Sequence, residues 1–155
     1  MSVRVLTVPD DLSLTARIAR GHYDEIESRI TEEYFPITAD QVGVWEWDIL
    51  SFGLTVSTEK AVQLIQKSGF MPAHVAHLLA FGEITLGMRK NPVIALGSSA
   101  WIYGRAFPAI EWWSNRNERY LTLEHAWFLE GWRHCAGWPH KCQFLCVRRN
   151  ERKAL

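Results

Sequence analysis

The stretch WRHCAGWPHKCQFLCVRR, residues 132–149, gathers His134, Cys135, His140, Cys142 and Cys146 into eighteen positions. Imidazole and thiolate are zinc ligands, and four of them in a tetrahedron make a structural site. The spacing argues against one. No CxxC pair is present, and Cys142 and Cys146 stand four residues apart in a segment that reads as a strand. Four strand steps place them about 13 Å apart, too far to share one zinc or to close a disulfide. The strand reading predicts Cys142, Phe144 and Cys146 on one apolar face and Leu145 and Val147 on the other, the thiols acting as small hydrophobes. Cys135 beside His134 is the better-placed thiol for nucleophilic chemistry, although sequence neighbours seldom form a nucleophile–base pair.

Other chemistry-bearing residues are scattered. HVAH, residues 74–77, offers an i, i+3 histidine pair on an expected helix, without the glutamate and the i+4 spacing of a metalloprotease helix. Wheel arithmetic sets His77 opposite a Val75/Leu78/Leu79 stripe and His74 at its edge, so both are expected to be solvated. GSS, residues 97–99, is not the GxSxG nucleophile elbow, and GMRKN at 87–91 is not a phosphate loop. Asp24, Glu25, Glu27, Glu32 and Glu33 read as a solvated acidic face. No motif calls for a cofactor, and none is expected.

EWWSNRNERY, residues 111–120, is the segment best suited to binding. It sets Trp112 and Trp113 among Glu111, Asn115, Asn117 and Glu118. Amide and carboxylate oxygens suit sugar hydroxyls or calcium, and aromatic faces suit sugar rings or a protein partner. The competing reading is a turn-rich loop between strands that keeps one tryptophan buried.

The elements that must position these residues follow from periodicity. VRVLTV (3–8) reads as a strand, and Ser13 caps a short helix that Gly21 ends. Residues 21–36 look irregular. VGVWEWDILSFGLTV (42–56) alternates as a strand, with Trp45, Trp47 and Ile49 on the buried face. Ser57 caps a helix that Gly69 ends, and Pro72 suits the first turn of the next. PVIALG (92–97) is a short strand. AWIYGRAFPAIEWW is expected to break at Gly104 and Pro108; YLTLEHAWF reads as a strand running into a loop or short helix, and QFLCVRR as a strand. Strands and helices first, then short strands, predict an α+β domain over residues 1–150 with two helices packed on an antiparallel sheet, and a basic tail at 151–155. Trp45, Trp47, Trp101 and Trp132 are the expected aromatic core.

Composition narrows the classes. Seventeen basic residues balance seventeen acidic ones in 155. No basic stripe for nucleic acid results, and no apolar run is long enough for a membrane. Three cysteines leave at least one unpaired, which points to a reducing, cytoplasmic setting.

ALGSSAW (95–101), GRAFPAIEWW (104–113), RYLTL (119–123) and QFLCVRR (143–149), after helices at 58–68 and 72–81, resemble the C-type-lectin-like domains of formylglycine-generating enzymes and retroelement-diversified proteins. That resemblance implies a C-type-lectin-like α+β fold. It lacks that family's paired cysteines, and WSNRN only echoes the calcium-lectin signature. GHYDEIESRITEEYFP (21–36), MPAHVAHLLAFGE (71–83), PVIALGS (92–98) and FLCVR (144–148) also resemble small uncharacterised bacterial and phage proteins. The expected function is a non-enzymatic binding module that recognises a protein or a glycan through residues 104–118. The alternatives are a metal-dependent enzyme using His74, His77, His125, His134 or His140 with the cysteines, and a phage or accessory protein acting by protein–protein contact, including as a homo-oligomer.

Overall fold

The computed structural model describes residues 4–89, 92–126 and 137–150. The described chain is a single α+β domain: three helices and a nine-stranded sheet of order β1-β3-β9-β5-β7-β8-β2, with β4 beside β9 and β6 beside β7. The strands are β1 (Val5–Val8), β2 (Glu25–Ile26), β3 (Gly43–Leu50), β4 (Met71–Pro72), β5 (Val93–Ile94), β6 (Ala100–Trp101), β7 (Arg105–Trp113), β8 (Glu118–His125) and β9 (Gln143–Arg149). The helices are α1 (Leu14–Ala19), α2 (Thr58–Lys67) and α3 (Val75–Ile84).

The sheet is mixed rather than antiparallel. β5 runs parallel to β9, and β2 parallel to β8. The strand β9 lies in the interior of the sheet, between β3 and β5, with both faces covered. Leu145 and Val147 join one apolar cluster with Leu78, Leu79 and Phe81 of α3 and Leu14 and Ile18 of α1. Cys142, Phe144 and Cys146 join a second with Ala61 and Ile65 of α2. The period-2 alternation of a strand delivers its residues to the two faces in turn. The helices therefore sit on opposite faces of the sheet, not as a pair on one, because β9 is apolar on both sides.

Local signals act as their chemistry requires. The Ser13 and Ser57 hydroxyls accept from Ala16 N and Lys60 N at 3.1 Å each. Gly69, at φ +90°, closes α2 with the two backbone bonds of a Schellman motif, Gly69 N–H to Gln66 O and Phe70 N–H to Ile65 O.

Several expectations change. Pro72 pairs with Cys146 in β4 instead of opening α3, which begins at Val75. The Met71–Pro72 strand is held by β9, and that pairing outweighs proline's helix-start preference. The strand from Val42 stops at Leu50, with Gly53 at φ +68°. Trp45 is buried, whereas Trp47 and Ile49 are only partly buried against the same cluster. The 100–113 stretch breaks before β7 at the turn that holds Gly104, as expected, but Pro108 does not break it: buried within β7, it pairs with Leu123. Residues 21–36 contain the short β2. Trp132 and the basic tail fall outside the described residues.

Phe144 stacks on Phe52 at 5.7 Å and meets the buried Trp138 edge-on at 6.0 Å. Phe144→Ala is expected to lower unfolding free energy by about 3–5 kcal/mol in urea titrations followed by tryptophan fluorescence.

Candidate functional site

The β7–β8 hairpin divides the six residues of EWWSNRNERY that were expected to bind. On one face the Trp113 ring lies 5.5 Å from Tyr120, its Nε1–H donates to Glu111 Oε2 at 3.2 Å, and the Tyr120 hydroxyl donates to Glu118 at 2.6 Å. Trp112 is on the other face, with the Arg89 guanidinium 3.9 Å above its ring. Asn115 is exposed in the 114–117 turn, and Asn117 takes φ +54° there. Glu111, Trp112, Trp113 and Glu118 are thus strand residues, not loop residues. A partner unseen in the sequence joins them. Ala109 and Thr122 pair across the strands between the positions of Glu111 and Glu124, and their small side chains leave room for the two carboxyls to meet. Burial first, then the hydrogen-bonding contact with Glu111 and its charge, hold the Glu124 carboxyl well above the usual carboxylate range.

A second constellation joins two motifs that sequence spacing kept apart. HVAH lies at the start of α3 and GSS just beyond β5, and a cavity of about 250 Å³ opens between them, walled by Tyr34, Pro36, Gln41, His74, Ser98 and Ser99. The β4 and β5 strands run toward each other along one edge of β9 and stop where Ala73 N–H donates to Leu145 O. The segments that leave them meet. Gly97 N–H donates to Ala73 O at 2.8 Å, Val75 N–H donates to Ser98 Oγ at 2.8 Å, and Ser98 Oγ lies 3.4 Å from His74 Nδ1. A Cβ on Gly97 would stand 2.7 Å from both Pro72 O and Ala73 O, so only glycine permits this approach.

His77 is fully buried, not solvated, because α3 is apolar on almost every side and has no wet face at that position. His74 N–H donates to His77 Nδ1 at 2.9 Å, which puts the ring proton on Nε2, where it finds no partner among the described residues. Trp45 meets the ring edge-on at 4.4 Å. Burial above all, reinforced by His74 and Arg149, pushes the His77 pKa down to about 3. Burial also lowers that of His74, with Asp40 opposing. Gln41 is 4% exposed; its Nε2 donates to Thr38 Oγ1, and its Oε1 has no partner among the described residues. Arg149 of β9 pins this wall by donating to Asp40 O and Val42 O at 2.7 Å each.

Beside the cavity stands the turn between β6 and β7. Trp101, expected in the core, is 81% exposed, and Tyr103 is 83% exposed. The alternation that buries Ala106 and Ile102 turns Trp101 outward. Tyr103 sits at φ +53° in a turn closed by Ile102 N–H to Gly104 O at 2.8 Å. Arg105 donates to Ser99 Oγ at 3.1 Å, and Arg29 lies 5.8 Å from the Tyr103 ring centre while also feeling the Tyr34 hydroxyl. Exposed aromatics and cavity rim are therefore linked. A wider cleft of about 730 Å³ lies near Arg17 and Glu32, where the guanidinium already donates to Leu12 O and Pro9 O.

The cysteine stretch resolves differently. Cys142 and Cys146 are free and buried, and burial pushes their thiols up to about 11 and about 12. Trp138 is a core residue, its Nε1–H donating to Thr58 Oγ1 at 3.0 Å. His134 and Cys135 lie outside the described residues. Among the described residues, no group of three or more His, Cys, Asp or Glu side chains could hold a metal ion.

No family model, curated protein or solved structure matches the chain. The sequence contained one usable signal for the cavity: a glycine–serine pair directly after a buried strand, with a histidine just before a helix. It gave no means of pairing them.

Two measurements test this geometry. Gly97→Ala is expected to destabilise the fold by about 1–3 kcal/mol, from overpacking against rigid backbone, as measured by thermal and urea unfolding. An unfolded-state histidine protonates near pH 6.5 but folded His77 only near 3, so the unfolded chain binds the extra proton between them and stability falls as pH drops through that window. The stability gap between wild type and His77→Gln is expected to narrow by up to about 1.4 kcal/mol per pH unit below pH 6.5.

Proposed function

We propose that the chain is a binding module whose recognition surface is the β6–β7 turn with its neighbours Arg29, Tyr34 and Arg105, and whose partner is a protein. The observation that carries this is the exposure of Trp101 and Tyr103, 81% and 83%, on a turn with a fixed backbone. Tryptophan, tyrosine and arginine are the residues that dominate interface energies, and a rigid aromatic anchor loses little entropy on binding. The surface overlaps the expected 104–118 region at Arg105 and extends it toward Trp101. A C-type-lectin-like relationship, in which binding lies on loops between late strands, fits helices that precede β5 to β9. An accessory or phage protein acting by contact fits the same surface. A cytoplasmic setting fits the buried free thiols of Cys142 and Cys146. Among the described residues, no helix is long and apolar enough to cross a membrane.

A second reading places a glycan on the Trp113 face. It is favoured by the aromatic pair Trp113–Tyr120 beside the contacting carboxyls of Glu111 and Glu124.

Trp101→Ala and Tyr103→Ala are expected to change stability by less than about 0.5 kcal/mol, because the side chains touch little. Each is expected to weaken partner binding by about 2 kcal/mol or more, roughly 30-fold in Kd. Affinity capture from cells of origin with wild-type and Trp101→Ala baits, followed by titration of the recovered protein, reads this directly. Sedimentation of both baits covers a second copy as the partner. Equal capture by the two baits refutes the surface, and a loss confined to Trp113→Ala on a glycan array moves the site to β7–β8.

A further inference from the structure

We propose that Ser98 and His74 form a nucleophile–base pair that takes a short, uncharged acyl group from an ester. This goes beyond binding and rests on the cavity, not on the exposed aromatics. Serine is a weak nucleophile until a neighbouring base removes its proton. Here Ser98 Oγ lies 3.4 Å from His74 Nδ1, a separation that shortens when substrate closes a site, and both side chains wall the same cavity.

Three further features suit the chemistry. Val75 N–H, in the first turn of the ten-residue α3, is already directed at Ser98 Oγ at 2.8 Å. That donor and the positive helix terminus stabilise the charge that grows on Oγ as its proton leaves. Asp40, whose charge acts on His74 in opposition to burial, stabilises the imidazolium that results. The serine is also rigidly held, since Gly97 is bonded to Ala73 O and leaves no room for another side chain. Pre-placement of this kind supplies much of an enzyme's advantage.

The cavity defines the substrate class. About 250 Å³ holds an acyl group of a few carbons with part of its alcohol. Among the described residues no Lys, Arg, Asp or Glu lines it, which suits an acyl group without charge. Gln41 Oε1, buried in the wall without a protein partner, accepts a hydrogen bond from a hydroxyl or amide N–H on the substrate.

The reaction balances with water as the only co-reactant. Ser98 Oγ bonds to the carbonyl carbon while its proton passes to His74 Nδ1. The tetrahedral intermediate collapses, the carbon–oxygen bond to the leaving alcohol breaks, and His74 returns the proton to that alcohol. Water then attacks the acyl-serine by the same route, which releases a carboxylic acid and restores the hydroxyl.

An alkyl fluorophosphonate tests the first half alone. Oγ bonds to phosphorus, fluoride leaves, and the proton remains on His74. With folded wild-type protein at neutral pH, intact and peptide mass spectrometry is expected to show one adduct, on Ser98. The adduct is expected to vanish when the protein is first unfolded in urea, and to form at least about 100-fold more slowly in His74→Gln. An unmodified Ser98 in the folded protein overturns the proposal. So does labelling at equal rate in the unfolded chain, or at wild-type rate in a folded His74→Gln variant. Should that variant fail to fold, the folded-against-unfolded comparison on wild type decides.

Discussion

Everything in this molecule depends on β9 being buried on both faces and shared along both edges. Its residues alternate between two apolar clusters, so each face needs a cover: α3 with α1 on one side, α2 and Trp138 on the other. One edge is fully used by β3 from Trp45 to Leu50. The other is divided between β4 and β5, which approach from opposite directions and stop near Leu145. Two short strands that meet head-on must turn away, and the crevice they leave is the cavity holding His74 and Ser98. The site is a geometric consequence of how β9 satisfies its backbone hydrogen bonds.

A second constraint ties the periphery to this centre through two guanidinium groups, Arg119 buried and Arg149 exposed. Arg119 of β8 is 5% exposed and donates to Gly21 O and Gly82 O at 2.7 and 2.6 Å, which links the end of α1, the body of α3 and the sheet. Its positive charge lies 4.8 Å from the Tyr23 ring centre. Arg149 does the same for residues 40–42 and stacks 3.9 Å above Trp45. A planar fork of donors suits backbone carbonyls that no strand or helix reaches, and lysine would not replace it.

What the sequence could show was local and periodic. The alternation in CQFLCVRR placed Cys142, Phe144 and Cys146 opposite Leu145 and Val147, and the serine caps and Gly69 marked helix ends, because those effects act within a few residues. What failed was long-range. Trp101 looks like a core residue until its cross-strand partner Arg105 is known. His77 looks solvated on a helical wheel, but α3 is covered by sheet, α1 and the 34–42 segment, so even its polar position is dry. The EWW tryptophans were legible as notable but not as residues on opposite faces, which needed the strand to extend through Trp113. The Ser98–His74 contact spans 24 positions, and no local pattern encodes it.

The polar groups that the fold leaves without partners point the same way. Among the described residues the buried, unpaired side-chain atoms are few, and Gln41 Oε1 and His77 Nε2 are two of them. Both flank the N-terminal end of α3: Gln41 lines the cavity, and His77 receives the N–H of His74. An unmet buried hydrogen bond destabilises a fold by about 1–3 kcal/mol. For Gln41 an apolar residue of similar size would remove that penalty. The backbone carbonyl of Gln41 is already used by Trp45 Nε1–H at 3.0 Å, so anchoring the loop does not require the amide side chain. Its Nε2 donates to Thr38 Oγ1, and its Oε1 is the atom that the proposed acyl-transfer site leaves for a substrate, beside the serine and histidine that β4 and β5 bring together.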